Sequence, residues 1–188
     1  MLHCVESEGT ILLFELDGSP RAKTWIPLRV RRVRPSNREG FRASDSPFFS
    51  TMCLIFRRSA VDALRDILDT NGELLPLEDE EGADLNAYNA QRLDGLDHQL
   101  SFGTQDENGR VVLPNNHVFV PEVVKDVDIF RQAQERGGAI YLSERFLQRW
   151  KKAKLKGLDF ILAWDSDLPP DQQPNVWLSK PVKMSTIR

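Results

Sequence analysis

Three histidines are the side chains of this chain best suited to acid-base chemistry near neutral pH. They are His3, His98 and His117, and only Asp97-His98 places a carboxylate beside an imidazole. A hydrolytic dyad needs a nucleophile within hydrogen-bond reach, and neighbouring residues of a strand point to opposite faces. We therefore interpret these histidines as structural or surface residues, with a hydrolase built on Asp97 and His98 as the alternative.

Two nearby carboxylates, Asp94 and Asp97, have a spacing that could hold a cation or orient a loop. Gly95 favours a turn between them, and Asp side chains in turns commonly accept hydrogen bonds from the backbone. Loop capping is thus the expectation, and metal binding or acid-base catalysis is the alternative. The sequence has no Gly-rich phosphate loop, zinc-protease helix or cysteine-pair motif. It predicts a protein that is not an enzyme and that needs no cofactor or metal.

Charged residues are unevenly distributed, although the formal net charge is only −3. A basic stripe runs from Arg29 to Arg34 and suggests a solvated edge strand protected by its charge. Its alternative role is small-ligand or nucleic-acid binding, although nucleic acid is not the expected partner. An acidic run later in the chain suggests a mobile solvated loop or a group that steers a basic protein partner. It comprises Glu78, Asp79, Glu80, Glu81 and Asp84.

The four tryptophans divide into two pairs by their sequence context. Trp150 and Trp164 lie in apolar segments and are predicted to be core residues. Trp25 and Trp177 lie among polar residues, where an aromatic side chain can anchor a protein interface.

The first part of the chain predicts strands. Short apolar runs at residues 11–14, 25–26 and 28–33 are separated by breaks, a spacing more typical of strands than of helices. Residues 34–47 are rich in Pro, Ser, Asn, Arg and Gly, and this composition predicts a linker or a long loop.

Three helices are predicted, at residues 59–70, 121–132 and 143–156. Ser59 and Ser143 are the expected N-caps, and Asn71-Gly72 is expected to end the first helix in a left-handed conformation. Between the helices, Asn108-Gly109 predicts a hairpin turn within an antiparallel meander. Residues 158–164 are expected to return as a strand.

Together these elements predict an α+β fold, with a mostly antiparallel sheet or meander and about three helices packed on it. Residues 1–48 form a β-rich segment with the linker, residues 49–165 the core, and residues 166–188 an extension, all in one compact domain. No secretory signal is visible in the sequence, and no apolar run approaches the roughly 18 residues of a membrane helix. We expect a soluble cytoplasmic protein without a membrane partner.

The order of several motifs resembles a known family over the segment from Phe49 to Trp164. The motifs are Ser59-Ala60-Val61-Asp62-Ala63-Leu64, Gly72-Glu73-Leu74-Leu75-Pro76-Leu77, Asn89 with Leu96-Asp97 and Ser101, Asp128-Ile129-Phe130-Arg131, Ile140-Tyr141-Leu142-Ser143-Glu144-Arg145-Phe146, and Gly157-Leu158-Asp159-Phe160 with Trp164. This succession resembles immunity-protein family eleven of bacterial polymorphic toxin systems.

The resemblance implies a single α+β domain, encoded beside a toxin, that neutralises this cognate toxin by direct protein-protein binding. It implies no catalytic residues. Together with the charge and tryptophan patterns, it leads us to expect partner contacts from Glu78, Asp79, Glu80, Glu81, Asp84, Trp25 and Trp177. The residues expected to fix the fold are Asn89, Asp97, Ser101, Ser143 and Trp164.

Overall fold

The computed structural model describes residues 1–33, 44–135 and 138–183, and within them the chain has an α+β fold. Most of the predicted linker therefore lies outside the described residues. The strands are β1 Leu2–Cys4, β2 Leu28–Arg32, β3 Leu54–Arg57, β4 Gly72–Asp79, β5 Asp84–Ala90, β6 Arg92–Leu93, β7 Phe102–Gln105, β8 Val111–Asn116, β9 Ile129–Gln132 and β10 Ile140–Leu142. The helices are α1 Ser7–Phe14, α2 Arg58–Asn71, α3 Pro121–Val124 and α4 Glu144–Lys152, with a 3₁₀ turn at Pro170–Gln172.

The strands form three sheets. The largest has the order β1-β2-β4-β5-β3, a second has the order β10-β9-β6, and β7 and β8 form a separate hairpin. Pairing is antiparallel except between β2 and β4 and between β6 and β9. The mostly antiparallel character predicted from the sequence is confirmed.

The large sheet is covered on both faces. Neighbouring residues of a strand face opposite sides, and Ile55 and Phe56 in β3 belong to different buried clusters. Phe56 packs with α2 and α4, where the Phe146 and Trp150 rings stack with their centres 5.9 Å apart. Ile55 packs with Leu13 of α1 on the other face. The result is a sheet between two helical layers, and the prediction of Trp150 as a core residue is confirmed.

Helix α2 confirms the predicted first helix but not its ends. Ser59 is not the N-cap, because the helix begins at Arg58 and the Ser59 hydroxyl donates to Asp45 Oδ1 at 2.5 Å. Gly72 is not left-handed either, since its φ of 164° is extended. Glycine is needed there for space, because a Cβ would lie 2.4 Å from the Asn89 carbonyl oxygen.

The strand predicted at residues 11–14 is wrong, because these residues belong to α1. Gly9 and Leu13 lie one helical turn apart and face the core, and a Gly9 Cβ would meet Cys4 Cβ at 3.3 Å. A run of four apolar residues fits a strand or a helix equally well, so periodicity could not distinguish them. Residues 25–26, also predicted as a strand, are irregular, whereas the strand predicted at residues 28–33 is confirmed as β2.

The predicted helix at residues 121–132 is much shorter than expected. It ends at Val124, and residues 129–132 form β9, paired with β10. Residues 158–164 form no strand, although Phe160 is buried against Trp150. Burial of the Phe160 ring does not require a ladder of backbone hydrogen bonds here.

The predicted hairpin is confirmed as β7 and β8, with Gly109 at a φ of 75°. The predicted continuous meander is wrong, because the hairpin is a sheet of its own and residues 118–120 form no strand. The last predicted helix is confirmed as α4, although it ends at Lys152 rather than at residue 156. Ser143 caps it, accepting the Phe146 N–H at 3.1 Å, as expected from the sequence.

The longest described helix is α2, with 14 residues. In the described part of the chain, no helix is both long and apolar enough to cross a membrane.

Candidate functional site

The basic stripe and the acidic run lie beside each other. The sequence suggested that the basic stripe forms an edge strand. This prediction is wrong, because β2 pairs with β1 on one side and with β4 on the other. Its parallel register with β4 puts Arg29 opposite Glu78, so two segments far apart in sequence form one surface of mixed charge. Two arginines of the predicted stripe, Arg29 and Arg32, are thus ion-paired within the protein, whereas Arg31 is exposed and Arg34 lies outside the described residues.

Arg32 makes the tightest of these contacts. Its guanidinium donates to Asp79 Oδ2 at 2.7 Å and to Glu81 Oε2 at 2.8 Å. The Asp79 side chain is fully buried and also accepts the Ala83 N–H at 3.1 Å. A buried carboxylate needs such partners, because removal from water is costly for a charge.

The predicted mobile acidic loop is instead a short turn between β4 and β5. The Gly82 N–H closes it on the Asp79 carbonyl at 2.8 Å, and Gly82 has a φ of 74°. Arg29 contributes looser ion pairs to Glu80 and Glu6, each at 3.7 Å, and Arg58 reaches Asp84 at 3.4 Å. Much of the acidic run is thus neutralised within the protein, and its steering role stays a prediction.

Asn89 is buried and holds the segment that follows α1. Its side-chain oxygen accepts the Gly18 N–H at 2.8 Å, and its amide donates to the Ser19 carbonyl at 2.8 Å. Gly18 has a φ of 84° and lies so close to β5 that a Cβ would meet the Ala90 carbonyl oxygen at 2.6 Å. Asn89 therefore joins the N-terminal segment to the large sheet rather than fixing a meander.

Asp97 and Ser101 fix the loop before β7. Asp97 Oδ1 accepts the N–H groups of Gln99 and Leu100 at 2.9 and 3.0 Å, the expected capping arrangement. The Ser101 hydroxyl accepts the Val118 N–H at 2.9 Å. His98 Nδ1 accepts the Val111 N–H at 3.1 Å, so the imidazole nitrogen that could act as a base holds a strand instead.

The Asp94 and Asp97 carboxylates have separate hydrogen-bond partners and do not form a shared cation site. It accepts the Gln132 side-chain amide at 3.0 Å, and His98 Nε2 lies 3.7 Å from its carboxylate. Within the described ranges, no group of three His, Cys, Asp or Glu side chains is placed to hold a metal ion.

The predicted interface tryptophans differ in exposure. Trp25 is half-buried against the α1 side of the sheet, and its indole N–H donates to the Pro76 carbonyl at 2.8 Å. Trp177 remains 63% exposed. Trp164 is partly buried, and its ring meets Phe119 edge to face at 5.7 Å between centres. Of the two candidates, only Trp177 offers most of its ring to a partner.

A chain of polar side chains lies beneath the small sheet and was missed from the sequence. His117 Nε2 lies 2.7 Å from the Tyr141 hydroxyl, which donates to Glu135 Oε2 at 2.5 Å. The single Tyr141 proton is used toward Glu135, so His117 must donate through Nε2 and keep Nδ1 unprotonated. Nδ1 has no hydrogen-bond partner in the described structure.

Burial sets the protonation of this chain. It lowers the pKa of His117 from 6.5 to about 4, because a proton on Nδ1 would be placed in apolar surroundings. Burial also raises the pKa of Glu135, partly offset by the hydrogen bond from Tyr141 and by the charge of Arg131. His117 is thus a neutral hydrogen-bond donor at neutral pH.

Arg131 of β9 lies beside this chain and lines a cavity of about 230 Å³. Only 5% of Arg131 is exposed, and its guanidinium donates to the carbonyls of Met52 and Gly138. Its Nε–H has no partner, and no carboxylate lies within ion-pair distance in the described ranges. Burial lowers the pKa of this guanidinium. An arginine within an apolar strand could have indicated a buried charge. It was missed because residues 129–132 were predicted to be part of a helix rather than a strand.

Helix α1 presents apolar side chains to solvent beside this cavity. Ile11, Leu12 and Phe14 are 56%, 37% and 43% exposed, and Phe14 also lines the cavity. The Phe14 ring lies 5.5 Å from that of Phe49, and Phe48 next to it is 54% exposed. We call Ile11, Leu12 and Phe14 the α1 face.

Neither the models of known protein families nor the curated proteins include a match to this chain.

Proposed function

We propose that this protein is a non-enzymatic immunity protein that neutralises a cognate toxin in the cytoplasm by direct protein-protein binding. The observation that carries the proposal is the α1 face. Exposed apolar side chains grouped on one element, rather than scattered singly, are typical of interaction sites. A stable inhibitory complex buries about 1,600 Å² in total, with a few aromatic or aliphatic anchors supplying most of the energy.

The charges around the α1 face indicate the kind of surface it would meet. Glu8 lies in the first turn of α1 and Glu15 directly follows the helix. Within the described ranges, neither carboxylate has a basic group at ion-pair distance. An apolar centre with an acidic rim suits a partner whose apolar contact is surrounded by Lys or Arg, which would also raise the association rate.

Toxin neutralisation, rather than protein binding in general, is supported by the ordered motifs between Phe49 and Trp164. A partner-binding role also agrees with the hydrogen bonding of the polar candidates, since Asp97, Ser101 and Asn89 are occupied by backbone groups. The exposed apolar side chains open to a partner include those of the α1 face and Trp177.

Ile11→Lys tests the proposal in co-expression with the protein encoded immediately upstream. Lysine at this position lies three residues after Glu8 and four before Glu15, spacings that favour helical ion pairs, so α1 should remain folded. We expect the variant to lose protection against growth arrest, with affinity weakened by at least about 2 kcal/mol, as for a hot-spot residue. Growth and isothermal titration calorimetry measure these two effects.

Ile161→Lys is the matched control, because Ile161 is 49% exposed and lies outside α1. It should protect as well as the wild type, and both variants should keep the wild-type melting temperature. An upstream protein that is harmless, or that arrests growth despite folded wild-type protein, would refute toxin neutralisation. Full protection by Ile11→Lys would refute the α1 face as the contact.

A further inference from the structure

Arg131 carries a buried charge that the described structure does not pair with a carboxylate. The guanidinium is satisfied in part by two carbonyl oxygens, from Met52 and Gly138, which are neutral acceptors. Cys53 is nearby, but burial raises the pKa of its thiol to about 12, so it supplies no negative charge at neutral pH. The charges of Asp17 and Glu135 act on Arg131 only from beyond ion-pair distance. A buried charge without a carboxylate in direct contact is costly, and an anion that reached it would be bound strongly.

Two carboxylates, Asp17 and Glu135, line the cavity, and each already has a hydrogen-bond partner of its own. Asp17 Oδ1 accepts the Ser19 hydroxyl at 2.5 Å and lies 3.7 Å from Arg21. Glu135 accepts the Tyr141 hydroxyl at 2.5 Å, and burial raises its pKa, offset in part by this hydrogen bond and by the charge of Arg131. Arg92 adds a second guanidinium to the wall. In the described part of the chain, both guanidiniums donate to carbonyl oxygens and neither lies at ion-pair distance from a carboxylate, so together they favour a negatively charged group.

The walls also suit a short apolar stem. Phe14, Leu16, Met52 and Ala133 line the cavity together with the two arginines. The volume of about 230 Å³ is below the range of roughly 300–1,000 Å³ typical of small-molecule sites. It is large enough for an acidic side chain, and Phe14 makes the cavity continuous with the α1 face.

We infer that this cavity binds a carboxylate, and that the carboxylate is an Asp or Glu side chain of the toxin inserted beside the α1 face. This inference rests on the proposed function and adds the chemistry of one contact. The toxin would carry basic residues toward the rim of α1 and one acidic residue toward Arg131. Such an anchor, desolvated and hydrogen-bonded, has the features of an interface hot spot.

Ala133→Leu in the full chain is the main test, since leucine would fill the cavity while leaving Arg131 and its carbonyl contacts in place. We expect at least tenfold weaker binding of the toxin, measured by titration calorimetry, with the circular dichroism spectrum unchanged. Ala83→Leu is the control, because Ala83 is likewise half-buried in a connecting segment, between β4 and β5. It should bind as tightly as the wild type.

The possible results separate this inference from the proposed function. Wild-type affinity in Ala133→Leu, combined with lost affinity in Ile11→Lys, overturns the cavity contact and leaves toxin neutralisation intact. If the upstream protein does not bind at all, a second measurement is made on the protein alone, by titrating sodium propionate against sodium chloride at equal ionic strength. Amide shifts at residues 131–133 that vanish in Ala133→Leu would then identify a free carboxylate ligand and overturn the toxin side chain as its source. Absence of shifts would overturn the carboxylate site itself.

Discussion

Replacing Arg32 with glutamine should lower the free energy of unfolding by about 2–3 kcal/mol. The substitution removes the guanidinium that meets the fully buried Asp79 carboxylate at 2.7 Å. Breaking a buried ion pair from one side typically costs about 3–5 kcal/mol, because the remaining charge is left unpaired. We expect the lower value because a quarter of the Arg32 side chain is exposed, so water can partly replace it. Urea denaturation measures the change.

Arg29→Gln is the matched control, as the same substitution in the same strand. Arg29 meets Glu6 and Glu80 at 3.7 Å, and all three side chains are about half exposed. Exposed pairs of this kind contribute about 0–1 kcal/mol, so little change is expected. An equal decrease in the free energy of unfolding in the two variants would contradict the special role of Asp79. It would indicate that the acidic run is a solvated surface.

Acid should destabilise the protein through His117, by about 3 kcal/mol between pH 6.5 and 4. Its pKa is about 4 in the folded protein and 6.5 when exposed, so the unfolded chain binds the proton more readily in this range. The stability from neutral His117 is complete above pH 6.5 and is lost as the pH falls toward 4. A pKa difference of about 2.5 corresponds to about 3 kcal/mol.

His117→Phe isolates this contribution in urea denaturation curves measured from pH 4 to 7. Phenylalanine should remove most of the His117 slope, and at neutral pH it should cost about 1 kcal/mol for the lost hydrogen bond to Tyr141. The raised pKa of Glu135 acts in the opposite direction, since its buried carboxyl is favoured by protonation, so the difference between the two curves is the relevant quantity. His3→Phe, at an exposed position in β1, should keep the wild-type slope. Parallel wild-type and His117→Phe curves would contradict a neutral buried imidazole.

Local signals predicted a large part of the fold. Asn108-Gly109 predicted the hairpin, Ser143 predicted the start of α4, and the apolar spacing of residues 59–70 predicted α2. In each case the residues that determine the element lie within the element. Local signals were misleading at two places. The apolar run at residues 11–14 was too short to distinguish a helix from a strand, and the helix that begins at Pro121 ends at Val124 instead of continuing to residue 132.

The candidate site could not be predicted in the same way, because its parts are brought together by tertiary structure. The basic stripe and the acidic run were both visible in the sequence. Their parallel pairing was not, because one segment precedes α2 in the chain and the other follows it. His117, Tyr141 and Glu135 belong to three different segments, and burial, the largest cause of their shifted pKa values, comes only with tertiary structure. The α1 face was hidden by the assignment of residues 11–14 to a strand.

The parallel pairing of β2 with β4 has a consequence for the order of folding. Strands β4 and β5 are joined by a short turn and can pair early, whereas Arg32 and Asp79 are 47 residues apart in the chain. Closing the longer loop costs more entropy before any contact repays it, so β2 should join the sheet after the rate-limiting step. Arg32→Gln should therefore accelerate unfolding and leave the refolding rate nearly unchanged in stopped-flow measurements. The ion pair would then act mainly on the lifetime of the folded protein, and slower refolding in the variant would show instead that β2 is already docked in the transition state.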